Sequence, residues 1–179
     1  MKKCAVFCGS RAGNHPEYIK AAKKLGEEMA ERDIELVYGG ASVGIMATVA
    51  DAVLENGGQA TGVLPHFLGD REIAHKKLTE LHMVETMSER KQLIAKLSDG
   101  FISLPGGIGT MEEYFEMLTL GYLGQHTGKS GLLNVNGYYK PLISFFDHMK
   151  EQGFVDEKTR EGMIIEEDPS ALLDIIFPE

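Results

Sequence analysis

The sequence is poor in cysteine and in positive charge, and it contains no long apolar run. Its two cysteines, Cys4 and Cys8, lie four residues apart in an apolar segment that reads as a strand. That spacing places their Cα atoms about 13 Å apart, beyond disulfide reach, so both are expected as reduced thiols in a core. Lys and Arg number 18 against 27 Asp and Glu, a net charge of −9. With no basic run to follow a phosphate backbone, binding to nucleic acid is disfavoured. A small anion could still bind where backbone N–H groups and one or two cations converge. No stretch approaches the roughly 18 consecutive apolar residues of a membrane span. Met1-Lys2-Lys3 leads into a strand rather than a signal-peptide core, so a cytoplasmic protein with no membrane partner is expected.

Missing motifs narrow the chemistry further. His15, His66, His75, His82, His126 and His148 show no H-x-x-x-H spacing and there is no C-x-x-C, so no metal site is expected. Neither cysteine stands beside an obvious base, so a thiol nucleophile is not indicated.

The chain has 179 residues, 43% hydrophobic and 25% charged. That is one domain by size, residues 1–179, able to bury roughly 70% of its unfolded surface. Apolar β-rich segments alternate with helical patterns throughout, which predicts an α/β, Rossmann-like, doubly wound parallel sheet with helices on both faces. Strands are expected at Ala5–Cys8, Ile34–Tyr38, Ala60–Leu64, Glu80–Val84, Phe101–Leu104 and Leu132–Val135. Helices are expected from about Pro16, at Val43–Glu55, at Met87–Leu97, from Thr110, at Pro141–Gln152 and at Ala171–Phe177. His66–Lys77 reads as a loop with room for a short helix. Ligands of such folds sit where strands end and helices begin, and three of those junctions are rich in small residues.

The sharpest junction is Leu104-Pro105-Gly106-Gly107-Ile108-Gly109-Thr110-Met111-Glu112-Glu113. Its glycines allow close backbone approach, and the free N–H groups at the start of the helix favour an anion, phosphate above all. A structural reading competes, because Thr110 and Glu113 spell a T-x-x-E capping box. The second junction, Gly39-Gly40-Ala41-Ser42-Val43-Gly44-Ile45-Met46, is neither G-x-G-x-x-G nor a Walker A loop, so the usual dinucleotide and triphosphate sites are not indicated. Gly9-Ser10 is the third. Thr86 and Glu89 form another capping box, after which Arg90 falls on the stripe of Met87, Ile94 and Leu97, facing the interior. A guanidinium there needs an internal carboxylate or an anionic ligand, because burying it alone costs several kcal/mol.

The run Pro105–Glu113 resembles the P-G-G-x-G-T-x-x-E signature of the Lonely Guy (LOG) family of cytokinin riboside 5′-monophosphate phosphoribohydrolases. Arg90-Lys91 stands at the distance upstream where that family carries an Arg-Lys pair. Cys8-Gly9-Ser10, Gly39 to Met46 and Leu133-Asn134-Val135-Asn136-Gly137-Tyr138-Tyr139 are similar too, so the resemblance covers nearly the whole chain. It implies hydrolysis of the N-glycosidic bond of an adenine-type nucleoside 5′-monophosphate without a cofactor. It also implies Arg90 and Glu113 as the catalytic pair and Glu72, Lys91, Gly107, Ile108, Gly109, Thr110, Met111, Glu112 and Thr119 around the nucleotide. Ser10, Gly39, Gly40, Gly44 and Met46 are added as candidate substrate contacts. Without the resemblance, Glu72 would read as a surface carboxylate. Members have often been labelled lysine decarboxylases, yet no lysine here reads as a Schiff-base residue with its supporting groups. The principal alternative is a non-catalytic nucleotide or molybdenum-cofactor carrier of the same fold. The helix from Thr110 carries Met111, Tyr114, Phe115, Met117, Leu118, Leu120, Tyr122 and Leu123, more apolar surface than one sheet contact covers. With the resemblance, this predicts a homodimer packed partly through that helix and the one from Met87.

Overall fold

A computed structural model describes residues 1–68 and 74–178. Seven parallel strands form one sheet in the order β4-β3-β2-β1-β5-β6-β7. Along the chain these are β1 (Lys2–Phe7), α1 (Pro16–Glu31), β2 (Ile34–Tyr38), α2 (Gly44–Glu55), β3 (Ala60–Pro65), β4 (Glu80–Val84), α3 (Met87–Leu97) and β5 (Gly100–Ser103). There follow α4 (Ile108–Tyr122), β6 (Ser130–Leu133), α5 (Lys140–Glu151), α6 (Glu157–Glu161), β7 (Ile164–Glu166) and α7 (Pro169–Ile176). A single 3₁₀ turn, His66–Leu68, opens the segment expected as a loop.

β2, β3, β5 and β6 are buried along their whole length and β1 from Cys4 onward, as helices on both faces require. Alternate residues of β1 go to opposite layers. Cys4 and Val6 join Tyr18, Leu25, Ile45 and Leu172 beneath α1, α2 and α7, while Ala5 and Phe7 join Ile94 and Met117 beneath α3 and α4. A third cluster, with Tyr114, Leu132, Tyr139 and Phe146, lies under α5. Met111, Phe115 and Leu118 pack against that cluster, so α5 covers much of the apolar surface of α4 that the sequence left without a partner. Both cysteines are free thiols, and burial raises the pKa of each well above the ordinary thiol range.

Sheet order decides where a ligand can enter. The chain winds from β1 out to β4 and then returns to place β5 on the other side of β1. The loops leaving β1 and β5 therefore diverge to opposite faces of the sheet and open a crevice at the carboxyl ends of those two strands. The Gly9-Ser10 turn and the Pro105–Gly107 turn lie there, joined by a hydrogen bond from the Gly9 N–H to the Pro105 carbonyl at 3.1 Å.

Candidate active site

The crevice is closed by a third turn, between β2 and α2. The Ile45 N–H donates to the Gly9 carbonyl at 3.2 Å, and Gly44, at φ +54°, lies so close to the Ser10–Arg11 backbone that a Cβ would sit 2.4 Å from the Ser10 carbonyl carbon. Gly44 is thus fixed by the packing of two turns. Gly39, Gly40 and Met46 are buried behind the site, while Ser10 is exposed at its rim.

Helix α4 starts at Ile108, with Gly107 as its N-cap in an extended conformation. Thr110 therefore lies inside the first turn. No capping box forms between Thr110 and Glu113, and Glu113 has no side-chain cap to make. Gly107, Ile108 and Gly109 are exposed, Ile108 at 91% of its surface, and a Cβ at Gly107 or Gly109 would meet open space. Among the described residues, no acceptor is met by the N–H groups of these three. They form the open positive end of a four-turn helix.

At the start of α3 the hydroxyl half of the expected capping box forms, and the glutamate reaches one residue further back than the N-cap. The Thr86 hydroxyl accepts from the Glu89 N–H at 3.1 Å, and the Glu89 carboxylate reaches back to the Glu85 N–H at 2.9 Å. One residue later Arg90 turns inward and is only 7% exposed, although Met87 on the same stripe remains at the surface. Its Nη2 donates to the Gly39 carbonyl at 3.2 Å, its Nε finds no partner among the described residues, and a Cβ on Gly39 would lie 1.9 Å from Nη2. Gly39 is glycine because the guanidinium occupies the space over its backbone. The carbonyl is neutral, and among the described residues Glu113 is a carboxyl that Arg90 influences electrostatically.

Glu113 is partly buried, and that burial raises its pKa to about 7; Arg90 and Lys91 pull it down, Glu112 and Glu116 push it up. Lys91 is ion-paired to Glu112 and, at 2.8 Å, to Glu116, and these two carboxylates push its own pKa up to about 12. The structure thus gathers Arg90, Lys91, Glu112, Glu113 and the stretch Gly107–Met111 at the starts of α3 and α4. It does not bring in Thr119, which is exposed about 9 Å further along α4 and about 120° around the helix from Glu113. Glu72 lies outside the described residues.

Three contributors were invisible in the sequence. The Gly39 carbonyl is a backbone group, and no side-chain pattern announces it. Glu116 reads as an ordinary surface carboxylate until α3 brings Lys91 to it. His75, 8% exposed, holds Asp51 with Nε2 at 3.0 Å while its N–H bonds the Gly40 carbonyl, so the chain at His75 is clasped onto the turn that receives Arg90. Since Arg90 opposes the burial penalty on Glu113, Arg90→Met is expected to raise the Glu113 pKa above 7, measurable by carbon NMR titration of the side-chain carboxyl. An unchanged or lowered value would break the electrostatic link between the two helix starts.

The chain is 47% identical over 165 residues to the cytokinin riboside 5′-monophosphate phosphoribohydrolase of Rhodococcoides fascians, covering 92% of this chain and 83% of that protein. It is 47% identical over 171 residues to an Arabidopsis thaliana protein of the same name, covering 96% and 79%. A molybdenum cofactor binding protein from Rippkaea orientalis, 20% identical, shares the fold with a TM-score of 0.72 over 98% of this chain and 96% of its own. The family profile described as "possible lysine decarboxylase" matches residues 46–176. With that match, those relatives and the Pro105–Glu113 signature at the strand crossover, the chain belongs to the Lonely Guy family.

Proposed function

We propose that the protein hydrolyses the N-glycosidic bond of adenine-type nucleoside 5′-monophosphates, cytokinin riboside 5′-monophosphate or AMP, to free base and ribose 5-phosphate. The observation that carries this reading is Glu113, freed from any capping duty, titrating near neutrality and opposed by a buried Arg90 beside an open helix N-terminus. The 5′-phosphate takes the N–H groups of Gly107, Ile108 and Gly109, with Thr110 and Met111 completing the turn and Ser10 at its rim. Breaking the bond builds positive charge on the ribose and negative charge on the base. The Glu113 carboxylate stabilises the former and accepts a proton from water as its oxygen bonds to the anomeric carbon; the departing base nitrogen takes up that proton. Arg90 orients Glu113. Lys91, Glu112 and Glu72 complete the nucleotide site, Gly39 with Met46 beside it gives Arg90 its place, and Gly40 and Gly44 shape the turn behind it.

The decarboxylase description implies pyridoxal phosphate, and the residues here do not fit it. A Schiff-base lysine needs a neutral amine, whereas Lys91 is held charged by Glu112 and Glu116. A passive carrier of nucleotide or molybdenum cofactor leaves the Arg90–Glu113 pairing without purpose.

We place this activity in a single domain of a cytoplasmic homodimer. No helix among the described residues is long and apolar enough to cross a membrane. On α4, Tyr122 and Leu123 remain exposed after α5 has covered its neighbours, and Met87 and Ile108 are exposed at the helix starts. Thr119, outside the crevice of its own chain, would reach a site only from a second copy. A dimeric mass by light scattering at micromolar concentration, with activity falling as dilution yields monomer, is expected. A fully active monomer would contradict the assembly.

Glu113→Gln should lower turnover of AMP by at least about 100-fold, because an absent charge beside an oxocarbenium costs roughly 3 kcal/mol. The acid limb of the wild-type kcat/KM profile, rising with pH through about 7, should vanish with it. Stability should move the other way. A carboxyl raised from 4.5 to about 7 stabilises fully only below its unfolded pKa, and that contribution is lost as pH rises through 7. The substituted protein should therefore gain melting temperature over wild type at pH 8 relative to pH 5. Near-normal turnover in the folded variant would make Glu113 structural.

A further inference from the structure

The segment Asn134–Tyr139 has no part in the chemistry above, yet it reaches the phosphate turn twice. Buried Asn134 accepts the Tyr139 N–H through Oδ1 at 2.8 Å, and positive φ at Asn136 and Gly137 swings two successive tyrosines toward the β5–α4 turn. The Tyr139 hydroxyl donates to the Leu104 carbonyl at 2.6 Å, and the Tyr138 hydroxyl donates to the Gly106 carbonyl. Between them the Pro105 carbonyl takes the Gly9 N–H, and after them the Gly107 carbonyl takes the Met111 N–H at 3.2 Å. Four consecutive carbonyls are thus occupied by donors, while the N–H groups of Gly107, Ile108 and Gly109 meet no acceptor among the described residues. The turn shows an incoming ligand only donors.

One of these contacts sets direction. A trans peptide is planar, so the Gly106 C=O and the Gly107 N–H point opposite ways, and fixing the first aims the second. The bond joins two glycines and is free to flip where most peptides are not. Resting on the hydrolase reading, we propose that Tyr138 is a positioning residue for phosphate binding: its hydroxyl holds the Gly106 carbonyl so that the Gly107 N–H faces the 5′-phosphate. The phenol is itself steadied edge-on between Tyr18 and Tyr139, at ring separations of 5.8 and 4.9 Å.

Tyr139 supplies the internal control. Its hydroxyl holds the Leu104 carbonyl, but that peptide leads into Pro105, which has no N–H to aim. Tyr138→Phe and Tyr139→Phe each remove one oxygen from the full chain. The readouts are kcat and KM for AMP and adenosine, the dissociation constant of ribose 5-phosphate by calorimetry, and melting temperature. Tyr138→Phe should raise the KM for AMP and the dissociation constant of ribose 5-phosphate roughly 5- to 20-fold, with kcat within about threefold and adenosine cleavage unaltered. Tyr139→Phe should lower the melting temperature by several degrees and leave both constants within about twofold. Unchanged constants in Tyr138→Phe, equal losses in the two variants, or no binding of ribose 5-phosphate to the wild type would overturn the proposal. Tyr138-dependent binding of ribose 5-phosphate without release of adenine would uphold the positioning role and sink the hydrolase reading. Adenine release with a KM indifferent to Tyr138→Phe would do the reverse.

Discussion

A guanidinium buried against a glycine carbonyl, with no carboxylate bonded to it among the described residues, is the constraint on which the rest of the site depends. Arg90 is 7% exposed and its only oxygen partner among the described residues is neutral. Such a charge is tolerated only if an opposing charge is near, and Glu113 on the neighbouring helix is that charge. Arg90 dictates a residue without a side chain at position 39. Lys91 joins α3 to α4 through Glu112 and Glu116.

Two influences of opposite sign meet at Glu113. Burial raises its pKa and Arg90 lowers it, and because burial dominates, the carboxyl titrates near 7 rather than near 4.5. A group in that range can take a proton from water and part with it again at neutral pH. On the proposed reading, the Gly107 end of α4 offers its donors to the phosphate, and binding energy gained remote from the reacting bond positions the ribose over the carboxylate.

The sheet was legible because its inner strands are short, largely apolar and bounded by turn residues, and β2 falls on the residues its pattern predicts. The burial of Arg90 was legible too, from its stripe with Ile94. The start of α4 was not. T-x-x-E at Thr110 and Glu113 is a sound local signal, but the Pro105 and Gly106 carbonyls are held by Gly9 and Tyr138, and the helix begins earlier, at Ile108. β7 and α6, three and five residues long, are too short for periodicity to register. β6 ends at Leu133, before the Val135 its apolar run suggested, because the chain turns there into the segment that delivers Tyr138 and Tyr139. The pattern of side chains thus announced the parts that depend on burial, and missed those set by backbone carbonyls meeting donors from distant loops.

On the proposed reading, an anion-binding helix end and an ionisable Arg90–Glu113 pair together cleave a nucleotide rather than merely hold it. The most direct measurement is chromatographic detection of free adenine and ribose 5-phosphate after incubating the purified protein with AMP, beside a parallel incubation with adenosine. The account predicts stoichiometric release of both products from AMP and a kcat/KM for adenosine lower by at least about tenfold, since the nucleoside leaves the Gly107–Gly109 amides empty. AMP recovered intact, or adenosine cleaved as efficiently as AMP, would contradict it.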